Sequence, residues 1–166
     1  GYIKKLVKGY YVFSDINLNE NTLFEIANRI YSPSYISFET ALSSYGLIPE
    51  SVYEVTSAST RRTYKFKTPF AQFSYRTLRP NLFFGYDIVK YNDRGLKIAC
   101  IEKAILDYLY INPKMKSRED FESMRFDKSS FRAKVNKRKF KAFLDKFCVK
   151  ALTKRTALFL KVITDA

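Results

Sequence analysis

Residues 61–77 read RRTYKFKTPFAQFSYRT, and their two-residue rhythm decides the kind of fold. From Arg62 to Lys67, Tyr64 and Phe66 point one way while Thr63, Lys65 and Lys67 point the other. Successive strand residues alternate faces, so this is a strand with one apolar and one wet side. Thr68-Pro69 supplies turn chemistry. The alternation then resumes from Phe70 to Thr77, with Ala71, Phe73 and Tyr75 opposed to Gln72, Ser74 and Arg76. The short connection predicts antiparallel neighbours, since parallel strands need a long crossover. One sheet face is therefore aromatic and the other polar and basic.

Working outward, further strands are expected at Val52–Ser57, Phe84–Tyr91 and Leu96–Ala99, the last two joined by a turn at Asn92-Asp93-Arg94-Gly95. Near the start, Tyr2–Val7 and Tyr10–Phe13 alternate around Lys8-Gly9, a hairpin signal. Asn21 or Thr22 caps a helix reaching Ile30, with Leu23, Ile26, Ala27 and Ile30 on one face. Pro33 keeps Ser32 out of the helical region. Ser37 caps the next helix, whose Phe38, Leu42 and Tyr45 share a face before Gly46 and Pro49 end it. From Ile101 the period becomes helical: Ile101, Ala104, Ile105, Tyr108 and Leu109 form a stripe that Pro113 closes. Ser117 starts a short helix with Asp120 at its third position. Two more helices follow, Phe131–Phe147 and Ala151–Ile163. The class is α+β: a hairpin, then helices packed on a mostly antiparallel sheet, with a C-terminal helical part.

The chain has 166 residues, enough for one domain or one domain with a small appendage. It carries 13 Tyr and 15 Phe but no Trp. Tyrosine suits half-buried sheet faces, because its ring packs while its hydroxyl stays wet. Thirty basic residues against 16 acidic ones give +14, a balance that favours a polyanionic partner. There is no histidine, which excludes His-activated nucleophiles and His-ligated zinc. No glycine-rich phosphate cradle occurs. Cys100 and Cys148 stand apart without metal spacing, as two free thiols of a cytoplasmic protein would. No apolar run is long enough to span a membrane, no signal peptide is read, and no cofactor is implied.

The positive charge falls in two patches. Residues 61–97 hold nine basic and two acidic side chains, and residues 128–155 hold eleven basic and one acidic. In the second patch, i,i+4 pairing cannot neutralise so many bases. An anionic partner is the better reading of that patch as a whole, although for any single lysine there a solvated helix position is the better one. In the first patch a phosphate-contacting surface and an ordinary one-sided sheet explain the bases equally well. The candidate nucleic-acid contacts are Arg61, Arg62, Lys65, Lys67 and Arg76 in the first patch, and Lys134, Lys137, Arg138 and Lys141 in the second.

A series of segments carries a resemblance. PSYIS (Pro33–Ser37), YGLIP (Tyr45–Pro49), Thr-Arg-Arg at 60–62, the FSYR strand (73–76) and EKAILD (Glu102–Asp107) occur in an order that resembles the AbiEi family, over about residues 2–113. These are antitoxins of type IV toxin–antitoxin and abortive phage-infection systems, described as transcriptional regulators of viral defence. Family members begin with a winged helix-turn-helix domain whose wing is a basic hairpin. GYIKKLVKGYYVF looks like that wing, which would make residues 1–15 a wing remnant without the recognition helix and residues 16–166 the antitoxin domain, family-like to 113 and basic and helical from 114 to 166. The resemblance implies a nucleotidyltransferase toxin as functional partner and, for the full-length protein, promoter inverted repeats in DNA. It makes Lys4, Lys5 and Lys8 phosphate contacts flanking the groove, where charged hairpin edges that block aggregation are the plainer account.

No catalytic or metal-binding residues are expected. Lys103 and Asp107, four apart on the polar side of their helix, read as a minor ion pair. Glu102, at the border of the stripe, has no evident partner for general-base work. A nuclease would need clustered carboxylates, and Glu54, Asp87 and Asp93 are scattered. The alternative to an antitoxin is a basic module that binds single strands by stacking and phosphate contact, against which the inward-pointing aromatics weigh.

Overall fold

The computed structural model describes residues 2–49 and 54–165. The chain divides into two compact units, Gly1–Ile36 with Val52–Ile98, and Ser37–Ser51 with Ala99–Ala166.

The first unit begins with the expected hairpin. β1 (Ile3–Val7) pairs antiparallel with β2 (Tyr10–Phe13) through Lys8 and Gly9. Gly9 sits at φ 85°, where a side chain would be strained. α1 (Glu20–Ile30) starts one turn earlier than its sequence suggests: Asn19, not Asn21 or Thr22, is the cap, its side chain accepting from the Thr22 N–H at 2.9 Å. The buried face holds Phe24, Ile26, Ala27 and Ile30, with Leu23 only half-buried.

The main sheet has six strands in the order β5-β6-β4-β3-β8-β7: β3 (Ser34–Ile36), β4 (Glu54–Ser59), β5 (Tyr64–Lys67), β6 (Gln72–Thr77), β7 (Tyr86–Tyr91) and β8 (Arg94–Ala99). The first residues of the expected Val52–Ser57 strand, Val52 and Tyr53, lie outside the described residues. β5 and β6 pair antiparallel as their spacing predicts, with Tyr64 opposite Tyr75, Phe66 opposite Phe73 and Lys65 opposite Ser74. Phe73 and Tyr75 are fully buried and Lys65 and Lys67 exposed, as the alternation predicts, but Ser74 on the polar face is buried as well and Tyr64 on the aromatic face keeps half its surface in solvent.

Adjacency is not uniformly antiparallel, however. β4 runs parallel to β6, and β3 parallel to β8. Residues 60–63 carry the chain past one strand position, roughly 5 Å. β5 therefore lands on the edge and β6 returns into the gap beside β4. A short link predicts neighbours only when the next strand folds straight back. β3 itself is invisible to alternation, being three residues long, yet it is buried throughout and bridges β4 and β8. The β7–β8 turn places Asn92 and Asp93 at positive φ, and a Cβ on Gly95 would lie 2.7 Å from Ile88 Cγ2. α1 packs on β3 and β4, and the Tyr75 hydroxyl donates to the Ala27 carbonyl at 2.6 Å.

The second unit is helical. α2 (Phe38–Ser44) ends with Gly46 at φ 73° and the Leu47 N–H donating to Leu42 O at 2.9 Å. α3 (Ile101–Ile111) packs on α2, α6 and α7. α4 (Arg118–Ser123) has the full capping box of Ser117 and Asp120. The single helix expected over Phe131–Phe147 is instead two, α5 (Lys128–Lys134) and α6 (Lys137–Phe147). Asn136 breaks them by capping α6, its side chain accepting from the Lys139 N–H at 3.0 Å. α7 (Lys150–Thr164) follows. Phe121, Phe126, Phe131 and Phe159 cluster edge to face in this core.

Candidate functional site

The Thr-Arg-Arg connection after β4 stands beside the exposed edge of the aromatic face. Together with the hairpin and the end of α1 it forms an open cleft of about 630 Å³. It is lined by Val7, Lys8 and Tyr10 from the hairpin, Ile30 and Tyr31 from the end of α1, Arg61 and Arg62 from the connection after β4, and Tyr64 and Phe66 from β5. None of these residues is acidic. Three of the candidate contacts, Lys8, Arg61 and Arg62, converge here.

The two arginines are held differently. Arg61 stacks its guanidinium over the Tyr31 ring at 4.0 Å and donates from Nη1 to the Ser32 carbonyl at 3.2 Å. Its backbone is fixed too, by the Arg61 N–H to Ser59 Oγ and by Thr77 Oγ1 to the Arg61 carbonyl. Arg62 is tied only through its carbonyl, which accepts from the Tyr31 hydroxyl at 2.7 Å. Its guanidinium meets no protein hydrogen-bond or ion-pair partner among the described residues. Tyr31 and Tyr64 stack with centroids 6.0 Å apart, and Tyr64 leans on Phe66 at 4.8 Å. Tyr64 nevertheless keeps 50% of its surface in solvent and Tyr10 39%. The expectation that the aromatics all point inward holds for Phe73 and Tyr75 and fails here. Tyr64 lies opposite Tyr75 on the edge strand, where no further strand covers it.

The remaining first-unit candidates do not join the cleft. Lys4 lies over the Phe70 ring at 5.6 Å. Lys5 is exposed, on the opposite face of the hairpin from Lys4. Lys65 pairs with Glu54 at 3.0 Å, so part of its charge is answered. Lys67 is exposed and Arg76 half-buried. Tyr10 and Tyr31 went unpredicted as site residues; the nearest signal was the Arg-Arg pair abutting an aromatic strand.

In the helical unit, Lys137, Arg138 and Lys141 share α6 and are exposed, without protein partners among the described residues. Lys134 belongs to α5 and donates its ammonium to the Tyr45 carbonyl at 2.5 Å. It serves the α2 terminus rather than the α6 face.

EKAILD is corrected most. Lys103 and Asp107 are not on a wet helix face: both are wholly buried and bonded to each other, and the Ser37 hydroxyl donates to Asp107 at 2.8 Å. Burial pulls the Lys103 ammonium below its ordinary range, opposed by the Asp107 carboxylate. The Phe147 ring lies 5.1 Å from the ammonium, and no surface is left for a substrate. Glu102, also buried, has a partner after all: it accepts the Asn136 N–H at 2.8 Å and faces Lys139 at 3.6 Å. These three ionisable groups hold α3, α6 and the entry to α2 together. Burial pushes the Cys100 thiol up, the reverse of nucleophile activation.

Among the described residues, no group of three or more Cys, Asp or Glu is placed to hold a metal ion, and no helix is long and apolar enough to cross a membrane. No protein-family model matches the chain, and no curated protein matches it.

Proposed function

We propose that this chain is a non-enzymatic antitoxin of the AbiEi kind, counteracting a nucleotidyltransferase toxin, and that in its full-length form it represses its own promoter through DNA. One observation carries the reading: the residues of the resemblance are those that build the frame. SYI of PSYIS is strand β3, Ser37 bonds Asp107 of EKAILD, YGLIP ends α2, Arg61 and Arg62 line the cleft, and FSYR lies within β6, where Phe73, Ser74 and Tyr75 are buried. β1 and β2 form a hairpin, as a wing requires, with Lys4, Lys5 and Lys8 exposed. The test is co-expression with a nucleotidyltransferase toxin encoded beside this chain. Rescue of growth is expected, and unrelieved toxicity with the protein present at normal levels rejects the antitoxin reading.

A second reading, a basic nucleic-acid module without antitoxin activity, is favoured by the cations themselves. Among the described residues, the candidate contacts Arg62, Lys137, Arg138 and Lys141 have no ion pair. A phosphate-dominated module binds more weakly as salt rises; binding unmoved between about 50 and about 200 mM salt rejects it.

A further inference from the structure

We propose that the cleft between the hairpin and β5 takes an unpaired nucleotide of a single-stranded nucleic acid, its base against Tyr64 and Tyr10 and its phosphate on Arg62 and Lys8. The proposal deepens the nucleic-acid reading above and rests on it.

Three features select this ligand. The first is the pairing of ring faces with cations in one open space: Tyr64 and Tyr10 remain part-exposed while Arg62 and Lys8 point charge into the same cleft. A flat base satisfies the rings by stacking, and its phosphate satisfies the cations. The second is preorganisation. Arg61 is spent on Tyr31 and the Ser32 carbonyl, extending the stacking platform rather than reaching outward, so Arg62 and Lys8 are the cations left to meet a phosphate. The third is the absence of acid among the lining residues, which leaves an anion no repulsive neighbour.

Duplexes cannot use this arrangement, because each base is stacked between its neighbours along the helix, which cover its faces, and only edges reach the grooves. An acidic peptide would meet the cations but leave the rings without a planar partner. A free nucleotide offers the same base and phosphate as a strand does. It lacks the flanking phosphates by which a strand extends its contacts beyond the cleft.

The experiment measures binding of labelled oligouridine and of a matched duplex RNA to the whole chain, with a uridine mononucleotide as competitor. Tyr64→Ala, Tyr64→Phe, Arg62→Gln and the control Lys114→Gln, an exposed position outside both basic patches, are compared with the parent, and thermal denaturation confirms that each is folded. Single strand is expected to bind more tightly than duplex. Tyr64→Ala should weaken it about fivefold or more with the salt slope unchanged. Tyr64→Phe should bind as the parent does. Arg62→Gln should lower the slope by about 0.7, the share of one phosphate contact. Equal affinity for duplex, or a folded Tyr64→Ala within about twofold of the parent, overturns the proposal while leaving salt-dependent binding intact. No salt-dependent binding at all overturns the underlying reading as well. Displacement by the mononucleotide at concentrations as low as those of the strand assigns the cleft to free nucleotides and overturns the strand.

Discussion

The two units bury polarity in opposite ways. The sheet unit encloses small neutral groups, Ser34, Thr56, Ser57 and Ser74, whose hydroxyls cost far less to desolvate than a full charge does. The helical unit encloses full charges, Glu102, Lys103 and Asp107. The same contrast runs through their surfaces. In the sheet unit a guanidinium is pinned in place by a ring and a carbonyl; in the helical unit Lys137, Arg138 and Lys141 hang on long side chains from α6. A fixed cation recognises shape, whereas a loose one supplies steering and nonspecific attraction. The lesson is that equal basicity in sequence does not mean equal function in space.

The largest expected effect attacks the buried charges. Replacing Asp107 by Ala strands the Lys103 ammonium in the core and removes the acceptor of the Ser37 hydroxyl. It should destabilise the helical unit by about 3–5 kcal/mol. The double change Lys103→Met with Asp107→Leu should recover most of that loss, because apolar packing replaces the pair. Urea titration of both variants checks this; a single variant as stable as the parent would erase the distinction between the units.

Next comes pH. The Tyr75 phenol is raised above its ordinary value of 10.0, mainly by burial and then by Tyr10 and Tyr31 nearby. The folded form therefore keeps its proton where the unfolded chain has lost it. Stability is full below about 10 and falls as pH rises beyond it, by about 1.4 kcal/mol per pH unit for this one group. Tyr75→Phe should flatten that alkaline loss at the expense of the bond to Ala27 O, about 1 kcal/mol at neutral pH. Hydrogen exchange in β6 and α1 against exchange in α3 would show whether the alkaline weakness belongs to the sheet unit.

A smaller effect separates cations that look alike in sequence. Lys65 and Arg62 flank the same short stretch, but Lys65 already faces Glu54. An exposed pair of this kind stabilises by about 0–1 kcal/mol, so Lys65→Gln should change stability little. Because its charge is shared, it should also move the salt slope of RNA binding less than Arg62→Gln does. Equal slopes for both variants would mean the cleft adds nothing to simple charge.

Much of this was legible in advance. Strand alternation depends only on neighbours in sequence, so Phe73, Tyr75, Lys65 and Lys67 could be assigned to faces before any fold was known. Caps are equally local, and Ser117 with Asp120 announced itself. Strand order is not local: nothing in residues 60–63 says that β5 will overshoot to the edge, and that overshoot is what uncovers Tyr64. The burial of Lys103 escaped for the same reason. Its helix carries an apolar stripe and a polar side, and only the packing of α2, α6 and α7 around it reveals that both sides are enclosed. Asn136 hid inside an unbroken Phe period, where a cap looks like any polar surface residue.

The smallest effect lies at the acid end and completes the contrast. Asp120 and Asp127 cap α4 and α5. Hydrogen bonds hold both carboxyls below the ordinary 3.8, from the Lys116 N–H foremost for Asp120 and from the Ser130 N–H for Asp127. A carboxyl lowered in the folded state stabilises it above the unfolded value, and that contribution fades as pH falls through the folded value. The helical unit should thus lose stability below about 3.8, opposite in direction to the tyrosine-linked loss in the sheet unit. Asn accepts the same capping bonds without titrating. Asp120→Asn with Asp127→Asn should leave neutral stability nearly unchanged and make the acid limb shallower, read as thermal midpoint against pH. A limb of unchanged slope would show that these two carboxyls do not set the acid response of the helical unit.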